Sequence, residues 1–87
     1  MAEILFDNLS RVMELVVQGP GGESQRGQLK LARILRDSGD FVLLGTSVIS
    51  GQEHRFTLSG IQQIVDMESG ENVDIAEFRA ELESHPG

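Results

Sequence analysis

The stretch Gln52–Ile61, Gln-Glu-His-Arg-Phe-Thr-Leu-Ser-Gly-Ile, decides how this chain is expected to fold. In an extended segment its alternation places His54, Phe56 and Leu58 on one face. Arg55 then lies on the opposite face, where its cation meets either solvent or a ligand. The stretch therefore predicts a strand with an apolar inner face, where Phe56 and Leu58 are buried, and a cationic outer face.

Length and composition are those of one small domain spanning residues 1–87. The 39% of hydrophobic residues can form one modest core. Because there is no cysteine, disulfide bonds, thiolate metal sites and a cysteine nucleophile are excluded. No apolar run approaches the ~18 residues of a membrane span, and the N-terminus lacks the basic region of a secretory signal. These features predict a cytoplasmic protein that does not enter a membrane.

The net charge of −7 is unevenly distributed along the chain. Residues 1–65 carry seven acidic and six basic side chains, whereas residues 66–87 carry seven acidic side chains and Arg79 alone. The chain therefore combines a nearly neutral body with an acidic tail. The acidic overall field argues against strong non-specific DNA binding, although it leaves room for one local basic face.

The first 18 residues allow two interpretations. Apolar residues recur at helical spacing between positions 4 and 16, whereas Val12–Val17 is rich in residues that favour strands. Asn8 and Ser10 are poor helix-interior residues and favour a break between two segments. We therefore expect a short N-terminal helix near Ala2–Asn8, followed by a strand at Arg11–Gln18.

Four further segments with the patterns of strands alternate with glycine-containing turns and predict the remaining strands. One of them is almost continuously apolar, which is typical of a central strand buried on both faces. Its Gly45 predicts a bend or bulge of the kind that closes a small barrel. Five strands in all predict a small, strongly bent antiparallel sheet, with a barrel over about residues 11–68. The four segments are Gln25–Leu31, Phe41–Ile49, Glu53–Leu58 and Ile61–Met67.

The acidic tail contains the clearest helix signal in the chain. Asp74 and Glu77 have the spacing of a capping box, in which Asp74 is the N-cap residue. Val73 and Phe78 occupy the two positions of a hydrophobic staple. We therefore predict a C-terminal helix over Ile75–Ser84 that packs on the sheet through its apolar face, which makes the expected fold mainly β with flanking helices.

Basic side chains are concentrated in one predicted strand and the residues that follow it. Between positions 24 and 36 there are four cations, Arg26, Lys30, Arg33 and Arg36, and no acid. Alternation places Arg26 and Lys30 on the outer face of the strand. Two interpretations stay open: a solvated face that balances the acidic tail, or a face that contacts a polyanion.

Few side chains in this sequence are suited to catalysis or metal binding. His54 and His85 are the only imidazoles, and neither has further ligands at the spacing of a metal site. The carboxylates cluster on the tail, where a solvated helix face accounts for them. We therefore expect no enzyme activity, no catalytic or metal-binding residue and no cofactor.

About two-thirds of the chain, from about Arg11 to Glu71, resembles the WYL domain, which is named for a Trp-Tyr-Leu triplet in bacterial regulators. In that family a glycine- or acid-containing hairpin precedes a strand. The Trp-Tyr-Leu strand and an Arg-x-Phe-x-Leu-Asp-Arg-Ile segment follow. The segments that match in order and spacing are Gly21-Gly22-Glu23, Gln28-Leu29-Lys30-Leu31, Phe41-Val42-Leu43 and Arg55-Phe56-Thr57-Leu58-Ser59-Gly60-Ile61.

Several features depart from the family pattern. Phe41-Val42 replaces the Trp-Tyr pair, while Leu43 is retained. Ser59-Gly60 replaces the Asp-Arg pair, which removes one family cation, and Ala32 stands where the family often has proline. The helix-turn-helix that usually precedes a WYL domain is absent from this sequence, so we expect a stand-alone domain.

The resemblance implies an Sm/SH3-like five-stranded barrel with a flanking helix, and a regulatory module that senses nucleotides or nucleic acid. Only Arg55 carries over from the family as a candidate ligand contact. The charge pattern adds Lys30, Arg33 and Arg26 as further candidates. An arginine on a strand face can form paired hydrogen bonds to a phosphate. The alternative for Arg55 is a structural ion pair with Glu53 or with a carboxylate of the tail.

Two functional hypotheses follow. The first is a sensor of a small anionic ligand, a nucleotide or a short single-stranded nucleic acid, which binds through the basic strand face. It requires Arg55 to be unpaired and to share a concavity with Lys30 or Arg33. The second is a protein-interaction or self-association module, which requires an exposed apolar strip or an unpaired strand edge.

Overall fold

The computed structural model describes residues 3–84, which form one antiparallel sheet and one α-helix. The fold is mainly β with a C-terminal helix, as the sequence predicts. The helix α1 spans Ile75–Ser84, the range that the capping pattern predicts, and a 3₁₀ turn at Leu58–Gly60 joins the fifth strand to the sixth. The strands are β1 (Glu3–Phe6), β2 (Arg11–Gln18), β3 (Ser24–Asp37), β4 (Asp40–Ser47), β5 (Glu53–Thr57), β6 (Ile61–Asp66) and β7 (Asn72–Val73).

Strand β3 is the centre of the sheet, in which the hydrogen-bonded order is β5-β4-β3-β2-β6-β7. One edge of β3 pairs with β4. Its other edge pairs with β2 over residues 24–31 and with β1 over residues 34–36. The path is open, because no strand pairing joins β5 to β7 within the described part of the chain.

The sheet has seven strands, so the prediction of five strands is wrong. The five predicted segments correspond to β2, β3, β4, β5 and β6. The two additional strands are short, since β1 has four residues and β7 has two. Each exists because it pairs with a longer strand, β1 with β3 and β7 with β6, and such tertiary pairing leaves little signal in a short sequence.

The prediction of an N-terminal helix near Ala2–Asn8 is also wrong. Residues 3–6 form β1, and Ala2 lies outside the described residues. Leu5 is buried and Ile4 is exposed. In the β1–β3 ladder Ile4 is opposite Leu35 and Phe6 is opposite Ile34, so Leu5 is the extra residue of a β-bulge. β1 covers the part of β3 that β2 does not reach, and this pairing outweighs the helical spacing. The predicted break follows at Asn8, whose φ of 55° is one that asparagine tolerates.

A β-bulge at Ala32 changes the face on which one cation lies. In the β3–β4 ladder Leu31 is opposite Gly45, but the next paired residue of β3 is Arg33, so Ala32 is the extra residue. Lys30 and Arg33 would lie on opposite faces of a regular strand. Because of the bulge, both side chains lie on the same face of the sheet, opposite Thr46 and Leu44 of β4. The sequence predicts a bend or bulge at Gly45 of β4, and the bulge occurs instead in the partner strand β3, at Ala32.

The hydrophobic core lies between one face of the sheet and α1. Phe56, which the alternation predicts to be buried, is only partly buried and packs against the core. The segment predicted at Phe41–Ile49 forms a strand only as far as Ser47, and Ile49 is 90% exposed in the following turn. The most completely buried side chains are Leu31, Leu43, Leu58, Ile64 and Leu82.

Helix α1 begins at the predicted cap. The backbone N–H groups of Ala76 and Glu77 donate to Asp74 Oδ1, at 2.9 and 3.2 Å. At the other end, Arg36 of β3 donates from Nη2 to the carbonyl of Leu82, at 3.2 Å. The last turn of α1 has no basic residue of its own, so Arg36 supplies the cation that stabilises the helix C-terminus.

Candidate functional site

The outer face of β3, β4 and β5 brings three of the four candidate cations together. Directly opposite residues of antiparallel strands share a face, and Leu44 is opposite both Arg33 and Arg55. Lys30 lies on the same face, opposite Thr46. Arg33 and Arg55 line one concavity of about 430 Å³. We call this surface, formed by Lys30, Arg33, Leu44, Thr46, Glu53 and Arg55, the outer face.

Each arginine of the outer face has a carboxylate beside it. Arg33 Nε donates to Asp7 Oδ1 at 2.9 Å, and Arg55 Nη2 lies 3.7 Å from Asp37 Oδ2. Glu53 lines the same concavity. Together with the lysine of this face, the two arginines make three cations, and Asp7, Asp37 and Glu53 make three carboxylates. The formal charge around the concavity is therefore balanced.

The two ion pairs are weak because they are exposed. The side chain of Arg33 is 53% exposed and that of Arg55 is 62% exposed. Exposed pairs of this kind contribute about 0–1 kcal/mol to stability. The sequence offered Glu53 or a tail carboxylate as the structural partner of Arg55, and the observed partner is instead Asp37 at the end of β3.

Arg26, the fourth candidate, lies apart from the others. It is opposite Val16 in the β2–β3 ladder, and its Nε lies 3.4 Å from Glu14 Oε1. Seven positions of extended strand separate Arg26 from Arg33, which corresponds to roughly 23 Å. The structure therefore does not bring Arg26 into the concavity.

An apolar cleft of about 200 Å³ lies on the inner side of β5. Its lining includes Leu15 and Val17 of β2 together with Phe56 of β5, although β2 and β5 are separated by two strands. The sheet must curve strongly for these side chains to share a cleft. His54 also lines the cleft and stacks on Phe56, with ring centroids 6.0 Å apart and an angle of 25° between the rings.

Strand β5 is one end of the sheet and has an unpaired edge. It pairs with β4, and no strand covers its second edge within residues 3–84. Alternate backbone N–H and C=O groups of Glu53–Thr57 therefore point away from the sheet. The opposite end of the path, β7, has only two residues, so β5 is the longer of the two end strands.

The turn between β4 and β5 exposes apolar side chains next to this edge. Val48 is 51% exposed, and Ile49 at the tip is almost fully exposed. The turn itself is well ordered by hydrogen bonds, since Gly51 N–H donates to the carbonyl of Ser47 at 2.9 Å. The exposed side chains of Val48 and Ile49 are therefore held by a hydrogen-bonded turn beside the edge of β5.

The carboxylate of Asp66 has a structural role. The backbone N–H of Glu68 donates to its Oδ1 at 2.9 Å, and Arg11 pairs with its Oδ2. These two interactions hold the pKa of Asp66 below its ordinary value of 3.8. Asp66 thereby fixes the turn between β6 and β7 and connects it to the start of β2.

Asp40 has a corresponding role at the start of β4. The side chain of Ser59 hydrogen-bonds to Asp40 and is the main cause of its lowered pKa, with further contributions from the backbone N–H of Phe41 and from Arg79. Arg79 Nη2 lies 3.3 Å from Asp40 Oδ1, so this pair attaches α1 to β4. The guanidinium groups of Arg36 and Arg79 also lie over the Phe41 ring, 5.8 and 5.7 Å from its centroid.

Residues 3–84 contain neither a metal-binding cluster nor a helix that could span a membrane. No group of three or more histidine, cysteine, aspartate or glutamate side chains could hold a metal ion there. His85 lies outside the described residues. The helix of the described region is too short and too polar to cross a membrane.

Comparison of the chain with protein-family models, with curated proteins and with solved structures found no match. The resemblance to WYL domains and the function that it implies therefore stay predictions.

Sequence patterns missed two features of the site: the carboxylates Asp7 and Asp37 beside the arginines, and the unpaired edge of β5. Both depend on strand order, for which the local sequence carries no direct signal.

Proposed function

We propose that this chain is a non-enzymatic interaction module that binds a protein partner by strand addition at the free edge of β5. The observation that carries the proposal is the unpaired edge of Glu53–Thr57. Such an edge is a template for main-chain hydrogen bonds with an extended segment of another chain. Its five residues offer a partner strand both backbone groups and two side-chain faces.

The surroundings of β5 support strand addition. Ile49 and Val48 place exposed apolar surface at one end of the edge. On the inner side, the apolar cleft beside Phe56 can receive an apolar side chain of the added strand. In this mode of recognition, main-chain hydrogen bonds supply affinity and such pockets supply specificity.

The charge balance of the outer face favours a protein partner over an anionic ligand. An anion in the concavity would have to displace Asp7 or Asp37 from its arginine, close to the carboxylate of Glu53. It would also approach a chain whose net charge is −7. An added polypeptide strand binds the edge of β5 through main-chain hydrogen bonds and does not have to enter the concavity.

The proposal includes the fold class that the WYL resemblance implies, an Sm/SH3-like barrel of a cytoplasmic regulatory protein. Two observations support it. Strands β2 to β6 are consecutive antiparallel strands with a 3₁₀ turn before the last one. In addition, side chains of β2 and β5 share the apolar cleft, so the sheet curves toward closure.

Site-specific photo-crosslinking in cells tests the proposed function. A photoreactive amino acid at Gln52, next to the edge, should form an adduct with a protein. The same amino acid at Lys30, which is exposed on β3 away from the edge, is the matched control and should form none. Adducts from both positions, or from neither, would overturn the proposal.

Sensing of a small anion is the second candidate, because Arg33 and Arg55 share one concavity and their ion pairs are weak. An NMR titration at low salt with short oligonucleotides, mononucleotides and pyrophosphate tests it. Shifts that concentrate around Arg33 and Arg55 and disappear in Arg55→Gln would favour the sensor. Unchanged spectra at millimolar ligand would leave the interaction module as the function.

A further inference from the structure

We infer that the partner of the β5 edge is a second copy of this chain, paired antiparallel about a two-fold axis at His54. This inference rests on the proposed function of β5 as an interaction edge and names the occupant of that edge. The order of charges along Glu53–Thr57, together with the geometry of a two-fold axis, points to this partner.

A two-fold axis that relates two antiparallel edge strands stands perpendicular to the combined sheet. The outer face of one copy then continues as the outer face of the other. Directly opposite residues must therefore come from the same face of β5. Glu53 and Arg55 belong to the outer face, since they are opposite Thr46 and Leu44, whereas His54 belongs to the inner face.

Because directly opposite residues must share a face, few registers of the two β5 strands are possible. The charges of Glu53 and Arg55 distinguish among them. An axis at Glu53 would place the two Glu53 carboxylates opposite each other, and an axis at Arg55 would do the same with the guanidinium groups. Like charges directly opposite each other are destabilising. An axis at Phe56 would extend the pairing into the 3₁₀ turn at Leu58 and would leave both charges unmatched.

A two-fold axis at His54 gives the register in which the charges of the two β5 strands are complementary. It places Glu53 of each copy opposite Arg55 of the other, so that two identical ion pairs form on the outer face. Opposite charges at directly opposed positions stabilise a sheet. On the inner face Phe56 then lies opposite Gln52 of the second copy, beside the apolar cleft.

Sedimentation velocity on the full chain over a range of concentrations tests the inference. The wild type should form a dimer reversibly. Each charge reversal, Glu53→Arg or Arg55→Glu, places like charges at both pairs and should weaken association about tenfold or more. Glu23→Arg and Lys30→Glu make the same changes of charge away from the edge and should leave association unchanged.

Two combinations of these variants distinguish the register from a general charge effect. The double variant Glu53→Arg/Arg55→Glu restores opposite charges and should dimerise again. An equimolar mixture of the two single variants should form a heterodimer, because every Arg of one chain then faces a Glu of the other. Thermal unfolding of each variant alone confirms that it is folded.

A wild-type chain that stays monomeric at every concentration would overturn the inference, as would a double variant that fails to recover. These failures are distinct from failure of the proposed function. If the chain is monomeric but the Gln52 crosslink still captures a different protein and the Lys30 position does not, the edge binds a heterologous strand. If neither a dimer nor a Gln52 adduct forms, both proposals fail.

Discussion

At the scale of single residues, burial in this chain depends on position in the sheet as well as on hydrophobicity. Leu43 and Phe56 are directly opposite in the β4–β5 ladder and share the inner face. Leu43 is fully buried because β4 has a neighbour on each side, whereas Phe56 on the end strand is only partly buried. The sequence identifies both as apolar strand residues, but it does not indicate which strand lies at the edge.

Because Leu43 and Phe56 differ in burial, we expect different losses of stability when each is replaced by alanine. We expect Leu43→Ala to lower the free energy of unfolding by about 3–5 kcal/mol, because it leaves a cavity in the core. Phe56→Ala should cost about 1–2 kcal/mol, because part of its ring is already in contact with water. Urea unfolding of the two variants measures both values. An equal or larger loss for Phe56→Ala would show that the apolar cleft beside β5 is closed in solution.

The lowered pKa values of Asp66 and Asp40 predict a loss of stability in acid. Because each folded-state pKa lies below the ordinary 3.8, the unfolded chain binds these protons more readily than the folded chain. The stabilisation is complete above the ordinary pKa and is lost as the pH falls through the lowered values. The free energy of unfolding should therefore decrease between about pH 5 and about pH 2.

Asp66→Asn isolates one of these contributions. The variant cannot bind the proton at this position, so its stability should depend less steeply on pH than that of the wild type over the same range. Chemical unfolding at a series of pH values provides the comparison. Parallel curves for the two proteins would show that Asp66 is not a source of the acid sensitivity.

At the scale of secondary-structure elements, the sequence predicts those elements whose signals are local. Helix α1 is predicted with its observed bounds because Asp74 caps it directly. The strand at Glu3–Phe6 is predicted wrongly because its pairing partner lies some 30 positions further along the chain. The bulge at Ala32, which places Arg33 on the same face as Lys30, leaves no signal in the sequence for the same reason.

The close approach of β3 and β4 next to this bulge can be tested with a pair of glycines. A Cβ at Gly45 would clash with the carbonyl oxygen of Lys30 and would lie 2.8 Å from Leu29 Cγ. Gly45→Ala should therefore lower the free energy of unfolding by about 1–3 kcal/mol. A Cβ at Gly27 of the same sheet meets no atom within 4 Å, so Gly27→Ala should leave stability unchanged or raise it by up to about 1 kcal/mol.

Thermal or urea unfolding of the two alanine variants decides this prediction. Equal stabilities would contradict the close approach of the strands at Gly45. A large loss in Gly27→Ala would contradict the open space around that residue. The pair is well matched because both positions lie within strands and neither has a positive φ.

At the scale of the whole molecule, the sequence indicates which residues carry charge but not how the charges are balanced. Alternation predicts Arg55 and Lys30 on outer strand faces, where the structure has them. The balancing carboxylates Asp7 and Asp37 come from the β1–β2 connection and the end of β3, and only strand order brings them to the arginines. The unpaired edge of β5 likewise follows from topology, and it leads to the function that we propose.

Amide hydrogen exchange of β5 tests this account most directly. In dilute protein the amides of Glu53–Thr57 that do not bond to β4 should exchange rapidly, because their edge is uncovered. They should become protected as the protein concentration rises, while protection in β3 and β4 stays constant. Slow exchange of all β5 amides at the lowest concentration would show that the edge is already covered, and that result would contradict the account.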